Sequence, residues 1–236
     1  MSHLHIPDGV LPPLVWIAGA VLAVLGLLAS GRVLRHAGPQ RIAYQSALGG
    51  IMLAVMAIPV PITAFDYCMT LAGPVGVLLG WAGAFQVSFV VTLILALMGQ
   101  GGVTVIGLNA LVLGLGAAVA RPAYSVLRRS LAPAPAMGVA TAVSQLFSSA
   151  VWLLVLGVSV RLAPAAVQEH EIAHALAWLR GGTVVAVVVP LLALAVAIEA
   201  LLGYGLARFL ARVRPDLLPG GGAAPPEGAL PPEGAR

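Results

Sequence analysis

Charge is what this 236-residue chain has least of: 8% of its residues are charged, against about 25% in an ordinary soluble domain. Lysine is missing altogether, all twelve basic residues being arginine. With 60% of residues hydrophobic and a mean hydropathy of +1.03, a water-exposed surface cannot be assembled, so a soluble globule is excluded. A nucleic-acid interface is excluded too, because the arginines sit at the ends of apolar runs instead of forming a basic face. One cysteine, Cys68, rules out a disulfide within the chain. Without lysine there is no G-x-x-x-x-G-K-[ST] loop, so ATP hydrolysis must lie elsewhere. The opening residues, MSHLHIPDGV, lack the cationic start of a signal peptide and are expected to be retained.

What is abundant is apolar run-length. Leu14–Ser30, Ile42–Pro61, Leu71–Met98, Val103–Ala120, Ala136–Val160 and Gly181–Ala207 follow one another with short polar or Gly/Pro joints. A bilayer-spanning helix needs roughly 20 such residues, which predicts an all-α, multi-pass membrane bundle in the cell (inner) membrane. Arginines then set the orientation, because cytoplasmic joints collect them. Arg32, Arg35 and Arg41, Arg121, Arg128 and Arg129, and Arg208, Arg212 and Arg214 mark one side, against Arg161 and Arg180 on the other. The N-terminus is expected outside and the C-terminus inside. With Arg41 and Arg121 on the same side, Leu71–Met98 must hold two short crossings broken near Gly80–Gly83, which makes about seven helices. Residues 1–218 form the membrane domain. Residues 219–236, PGGGAAPPEGALPPEGAR with its tail-end Pro/Gly content, cannot offset their ordering entropy and are expected to be a disordered cytoplasmic tail.

Polar groups near the outer face stand out against this background. They are Ser2, His3, His5 and Asp8 at the N-terminus, Asp66, Tyr67, Cys68 and Met69 in the second outer joint, and Asn109 within a span. An α-amine followed by a histidine at position two or three can wrap one ion with amine, backbone nitrogen and imidazole, a nitrogen-rich set that suits Ni(II) or Cu(II). Solvated terminal histidines have the same spacing. Cys68 is either a thiolate ligand or a small buried hydrophobe. Asn109 is either a hydrogen-bond donor to a site or helix glue. His170-Glu171-Ile172-Ala173-His174 matches H-E-x-x-H, the zinc metalloprotease pattern, but such a site needs a third ligand. The nearest downstream acid in a span, Glu199, is many turns away. An intramembrane protease using His170, Glu171 and His174 is the rival reading. Glu199 itself, at membrane depth, is expected to be functional or paired, with Asn109 and Tyr204 as possible partners.

His5-Ile6-Pro7-Asp8-Gly9 with Val10-Leu11-Pro12, Gly101-Gly102-Val103-Thr104 with Gly107-Leu108-Asn109, Ile198-Glu199-Ala200, and Val213-Arg214-Pro215-Asp216-Leu217-Leu218 together resemble the CbiM/NikM type membrane subunits. These are the substrate-binding components of energy-coupling-factor importers for cobalt and nickel, and the resemblance spans residues 5–218. It implies a non-enzymatic capture subunit with seven helices and no catalytic cofactor, whose cargo is Co(II) or Ni(II). Its implied partners are a transmembrane coupling subunit, cytosolic ATPase subunits and a small accessory membrane subunit. In the family, the N-terminal amine and an adjacent histidine bind the metal together with a histidine after the second helix. Here Leu4 precedes His5, so either Ser2 and His3 rebuild the chelating end or the chain starts at Leu4; Cys68 stands at the histidine position. The resemblance thus implies a metal site of His5 and Cys68, joined by Ser2 and His3 where these rebuild the chelating end, with Asp8, Gly9, Asp66, Tyr67 and Asn109 holding the ligands.

Overall fold

The computed structural model describes residues 11–58, 60–62, 65–162 and 189–220. Six helices carry the described fold: α1 Pro13–Leu34, α2 Pro39–Met56, α3 Ala72–Leu97, α4 Ile106–Leu127, α5 Pro133–Leu162 and α6 Val189–Val213. Proline opens α1, α2 and α5, where its missing N–H would have no intrahelical partner and its fixed φ already suits a helix. Five of the six, all except α2, are long and apolar enough to cross a membrane. The 18-residue α2 carries Gln40, Arg41, Gln45 and Ser46, which dilute its hydropathy. The apolar run 42–61 is thus shorter as a helix than as a sequence pattern. After Met56 the chain forms β1 Val60–Ile62 and β2 Phe65–Tyr67, an antiparallel pair in the register Val60↔Tyr67 and Pro61↔Asp66. Apart from this small hairpin, the described chain is helical.

The long run 71–98 is broken where the arginine pattern requires it. Gly80 has φ 73° and ψ 175°, non-helical values inside α3. Before this point α3 runs alongside α4 in the same direction: a Cβ on Gly76 would meet Ala117, and one on Gly80 would lie 3.0 Å from the Arg121 guanidinium. Beyond it the neighbours run backwards along α4, since Phe85 lies against Gly114. The chain therefore turns back at Gly80. Backbone at these angles is almost exclusive to glycine and costs other residues about 1–3 kcal/mol. Gly80→Ala is expected to destabilise the protein by that amount, read as a lower melting midpoint in detergent. An unchanged midpoint would show that the turn is unstrained.

In lipid, helices gain little from burying oil against oil, so small residues and hydroxyls do the joining. Ser148 on α5 donates to the Val112 carbonyl of α4 at 3.1 Å, and Gly107 on α4 meets α1 so closely that a Cβ would lie 2.7 Å from Ala20 Cα. Two larger apolar clusters fill the bundle. One joins Met52 and Met56 of α2 to Leu79, Val87, Leu95 and Leu113. The other joins Val77, Tyr124, Met137 and Leu210 to Leu218 beyond the last helix. Leu218 is brought there by a 3-10 turn, Pro215–Leu217, and the preceding Arg214 forks onto Asp216 at 2.8 and 2.9 Å. That guanidinium holds the Asp216 carboxyl below its usual value. Outward, α1 presents Leu14, Val21, Leu22, Leu25 and Leu28, the face expected of a helix bathed in acyl chains.

Candidate metal site

Of the residues expected to hold a metal, Ser2, His3, His5, Asp8 and Gly9 lie outside the described residues, as do His170, Glu171 and His174 and the tail beyond Gly220. What is described is the point where the N-terminal segment joins the bundle. Leu11 and Val15 are buried against Val105 and Leu108 at the start of α4, with Trp16 and Trp152 packed around them. One residue further, Asn109 is 3% exposed. Leu11 is therefore held next to a buried carboxamide, although nearly a hundred residues separate the two in sequence.

The joint between α2 and α3 is fixed from a different direction. Asp66 and Tyr67 belong to β2, opposite Pro61 and Val60, and Cys68 follows directly, 7% exposed. Two residues on, the Thr70 amide donates to Glu199 Oε1 of α6, and the Thr70 hydroxyl donates to the same oxygen at 3.0 Å. The Thr70 oxygen also accepts from the Ala72 amide at 3.3 Å, so one threonine ties the first turn of α3 to the acid of α6. Leu71, between them, takes the left-handed φ of 52° that turns the chain into the helix. Glu199 is 1% exposed and Thr70 2%.

Glu199 was expected to be functional or paired, with Asn109 and Tyr204 as possible partners. The structure brings Thr70 to it, while Tyr204 is 38% exposed on the outside of α6. Thr70 was not among the site residues read from sequence. The only signal for it was a hydroxyl directly before a long apolar run. The pairing matters chemically because Cys68 stands two residues from this doubly bonded anchor. Among the described residues no three His, Cys, Asp or Glu side chains converge to hold an ion. Glu199, the acid a zinc protease would most readily recruit as third ligand, has one oxygen already engaged by Thr70.

Known proteins match this chain in sequence and in fold. The CbiM family, described as the cobalt uptake substrate-specific transmembrane region, matches residues 5–217. The chain belongs to the CbiM family. A Haemophilus influenzae protein assigned to metal transport is 30% identical over 136 residues, an alignment that spans 57% of this chain and 62% of that protein. Its coverage of that relative stays below two thirds. The crystal structure of a truncated transition metal transporter shares the fold with a TM-score of 0.74 and 18% identity, covering 89% of this chain and 99% of the other. A second transition metal transporter structure gives 0.71 and 18%, covering 89% and 93%. Like other members of the CbiM family, this is a multi-pass membrane protein, and its relatives are transport components rather than enzymes.

Proposed function

We propose that this chain is the metal-capture membrane subunit of an energy-coupling-factor importer for Co(II) or Ni(II). The observation that carries the reading is the tether of Leu11 and Val15 on Val105 and Leu108 beside Asn109, within a family defined by cobalt uptake. It supports a site in which the histidine-bearing N-terminus lies near the start of α4. His5, with Ser2 and His3, supplies nitrogen ligands from this side and Cys68 supplies sulfur from the hairpin side. Asp8, Gly9, Asp66, Tyr67 and Asn109 then hold them by hydrogen bonds and backbone shape.

The metal is cargo, and the protein needs no catalytic cofactor. ATP hydrolysis belongs to cytosolic ATPase subunits, reached through a transmembrane coupling subunit, with a small accessory membrane subunit completing the assembly. Seven spans with the N-terminus outside and the C-terminus inside fit this role. Counting α3 as two pieces about Gly80 supports that number, and Arg121 beside the turn supports its lying on the arginine-rich side.

Binding isotherms of Co, Ni, Cu and Zn on the purified full chain test the reading. His5→Ala and Cys68→Ala are each expected to weaken binding by at least about tenfold, and Asn109→Ala by roughly 10–100-fold, the range seen when a ligand's supporting group is removed. Tight binding that survives both ligand changes would reject the site. A thiolate at position 68 favours softer ions than an imidazole does, so Cys68→His is expected to move the preference toward Co and Ni and away from Cu. Intact mass of the purified protein fixes the first residue, and a start at Ser2 would reject initiation at Leu4. Glu171→Ala is expected to leave metal uptake unchanged, where the rival protease reading requires it to abolish proteolysis.

A further inference from the structure

A cleft of about 670 Å³ opens between α1, α2 and the second half of α3, lined by residues that include Leu27, Gly31, Ile42, Gly50, Val90 and Ile94. Along α2 its wall runs from Ile42 to Leu53. Eleven residues of helix rise about 16 Å, half of the roughly 30 Å hydrocarbon core. The cleft is thus as deep as one leaflet. Among the described residues, none of the proposed metal site lines it.

Its two ends differ in chemistry. Leu34, Ala37 and Ile42 line the end nearest the α1–α2 joint, and their neighbours in sequence are Arg32, Arg35 and Arg41. One turn deeper, Gln45 Nε2 donates to Gln86 Oε1 at 2.9 Å, which places two amides on the cleft wall. Below them the wall is aliphatic. Gly31 and Gly50 leave it wide, since a Cβ on either would meet nothing within 4 Å.

We propose that this cleft is a binding site for an anionic phospholipid. An acyl chain lies along the aliphatic wall, the ester groups reach the depth of Gln45 and Gln86, and the phosphate meets Arg35 and Arg41. The order of the three zones along the cleft is the order of the parts of a lipid, and basic side chains at the mouth of an interhelical pocket select anionic headgroups. Arginine suits the phosphate because its planar fork makes paired hydrogen bonds with phosphate oxygens.

Native mass spectrometry of the purified, delipidated full chain titrated with phosphatidylglycerol or phosphatidylcholine tests this. Phosphatidylglycerol is expected to be retained roughly tenfold more strongly than phosphatidylcholine, on the scale of two arginines at an anionic headgroup. The Arg35→Gln/Arg41→Gln double variant should bring the two lipids level. Gly50→Phe, whose ring enters open space, should lower retention of both lipids while leaving the detergent melting midpoint unchanged. Gly31→Leu repeats that arm should Gly50→Phe melt early. Equal retention of both lipids by the unaltered protein would overturn the proposal, as would full retention of phosphatidylglycerol by a filled cleft. Retention of phosphatidylglycerol by the filled variants together with loss of a co-purifying membrane partner would assign the cleft to a partner helix instead.

Discussion

Glu199→Ala is expected to release the hairpin side of the proposed site from the bundle. The substitution removes the acceptor of two hydrogen bonds from Thr70, both made at buried positions. Each buried donor left without a partner costs about 1–3 kcal/mol, so the total is about 2–6 kcal/mol, a large share of the stability of an ordinary protein. Glu199→Gln retains an acceptor oxygen and is expected to lose less than half as much. The chain carries its own reporter, because Cys68 is the sole cysteine and is 7% exposed. Alkylation of Cys68 should be slow in the unaltered protein, faster in Glu199→Ala and nearly unchanged in Glu199→Gln. Equal alkylation rates in all three would mean that Thr70 and Glu199 do not hold the segment.

Gly76→Ala is expected to be at least as damaging, for a reason of geometry alone. A Cβ at this position would run into the Ala117 carbonyl of α4, lying 2.7 Å from its carbon and 2.8 Å from Ala117 Cα. Side chains can rotate away from an intruding methyl group, but a helix backbone cannot. Overpacking a core costs about 1–3 kcal/mol even when side chains yield, so about 3 kcal/mol is the least to expect here. Gly50→Ala is the matched control, since its Cβ meets open space and alanine is the better helix former by about 0.5–1 kcal/mol. Melting in detergent should separate the two variants in opposite directions from the unaltered protein. Coincident curves would sink the close-packing account of α3 on α4.

The break in α3 was legible because two independent signals met on it. The arginine clusters around Arg41 and Arg121 demanded an extra reversal, and Gly80 was a residue able to make one. The hairpin at 60–67 left no such trace, since three-residue strands are too short to show an alternating pattern. Helix α4 runs on to Leu127, through Arg121 and Pro122, although its apolar run ends at Ala120. The long arginine stem can follow the helix surface while its head reaches water, so charge marks the interface without ending the helix. The partner of Glu199 was out of reach for a different reason. Thr70 lies 129 residues away in sequence, and no local rule connects a hydroxyl in one joint to an acid in a distant span. Cys68 and Asn109 were legible as rare polar groups, but their value to a site depends on anchors that only packing supplies.

The turn at Gly80 also bears on how the protein is built. The first piece of α3 ends there after eight residues counted from Ala72, a rise of about 12 Å, which no insertion machinery can recognise as a crossing of a roughly 30 Å core. Its surroundings come from later parts of the chain: Ala117 of α4 beside Gly76, Thr141 of α5 beside Gly73, and Glu199 of α6 at Thr70. The contacts that hold this piece are therefore complete only once α4, α5 and α6 have been made. The joint that carries Cys68 is thus fixed by residues made long after it.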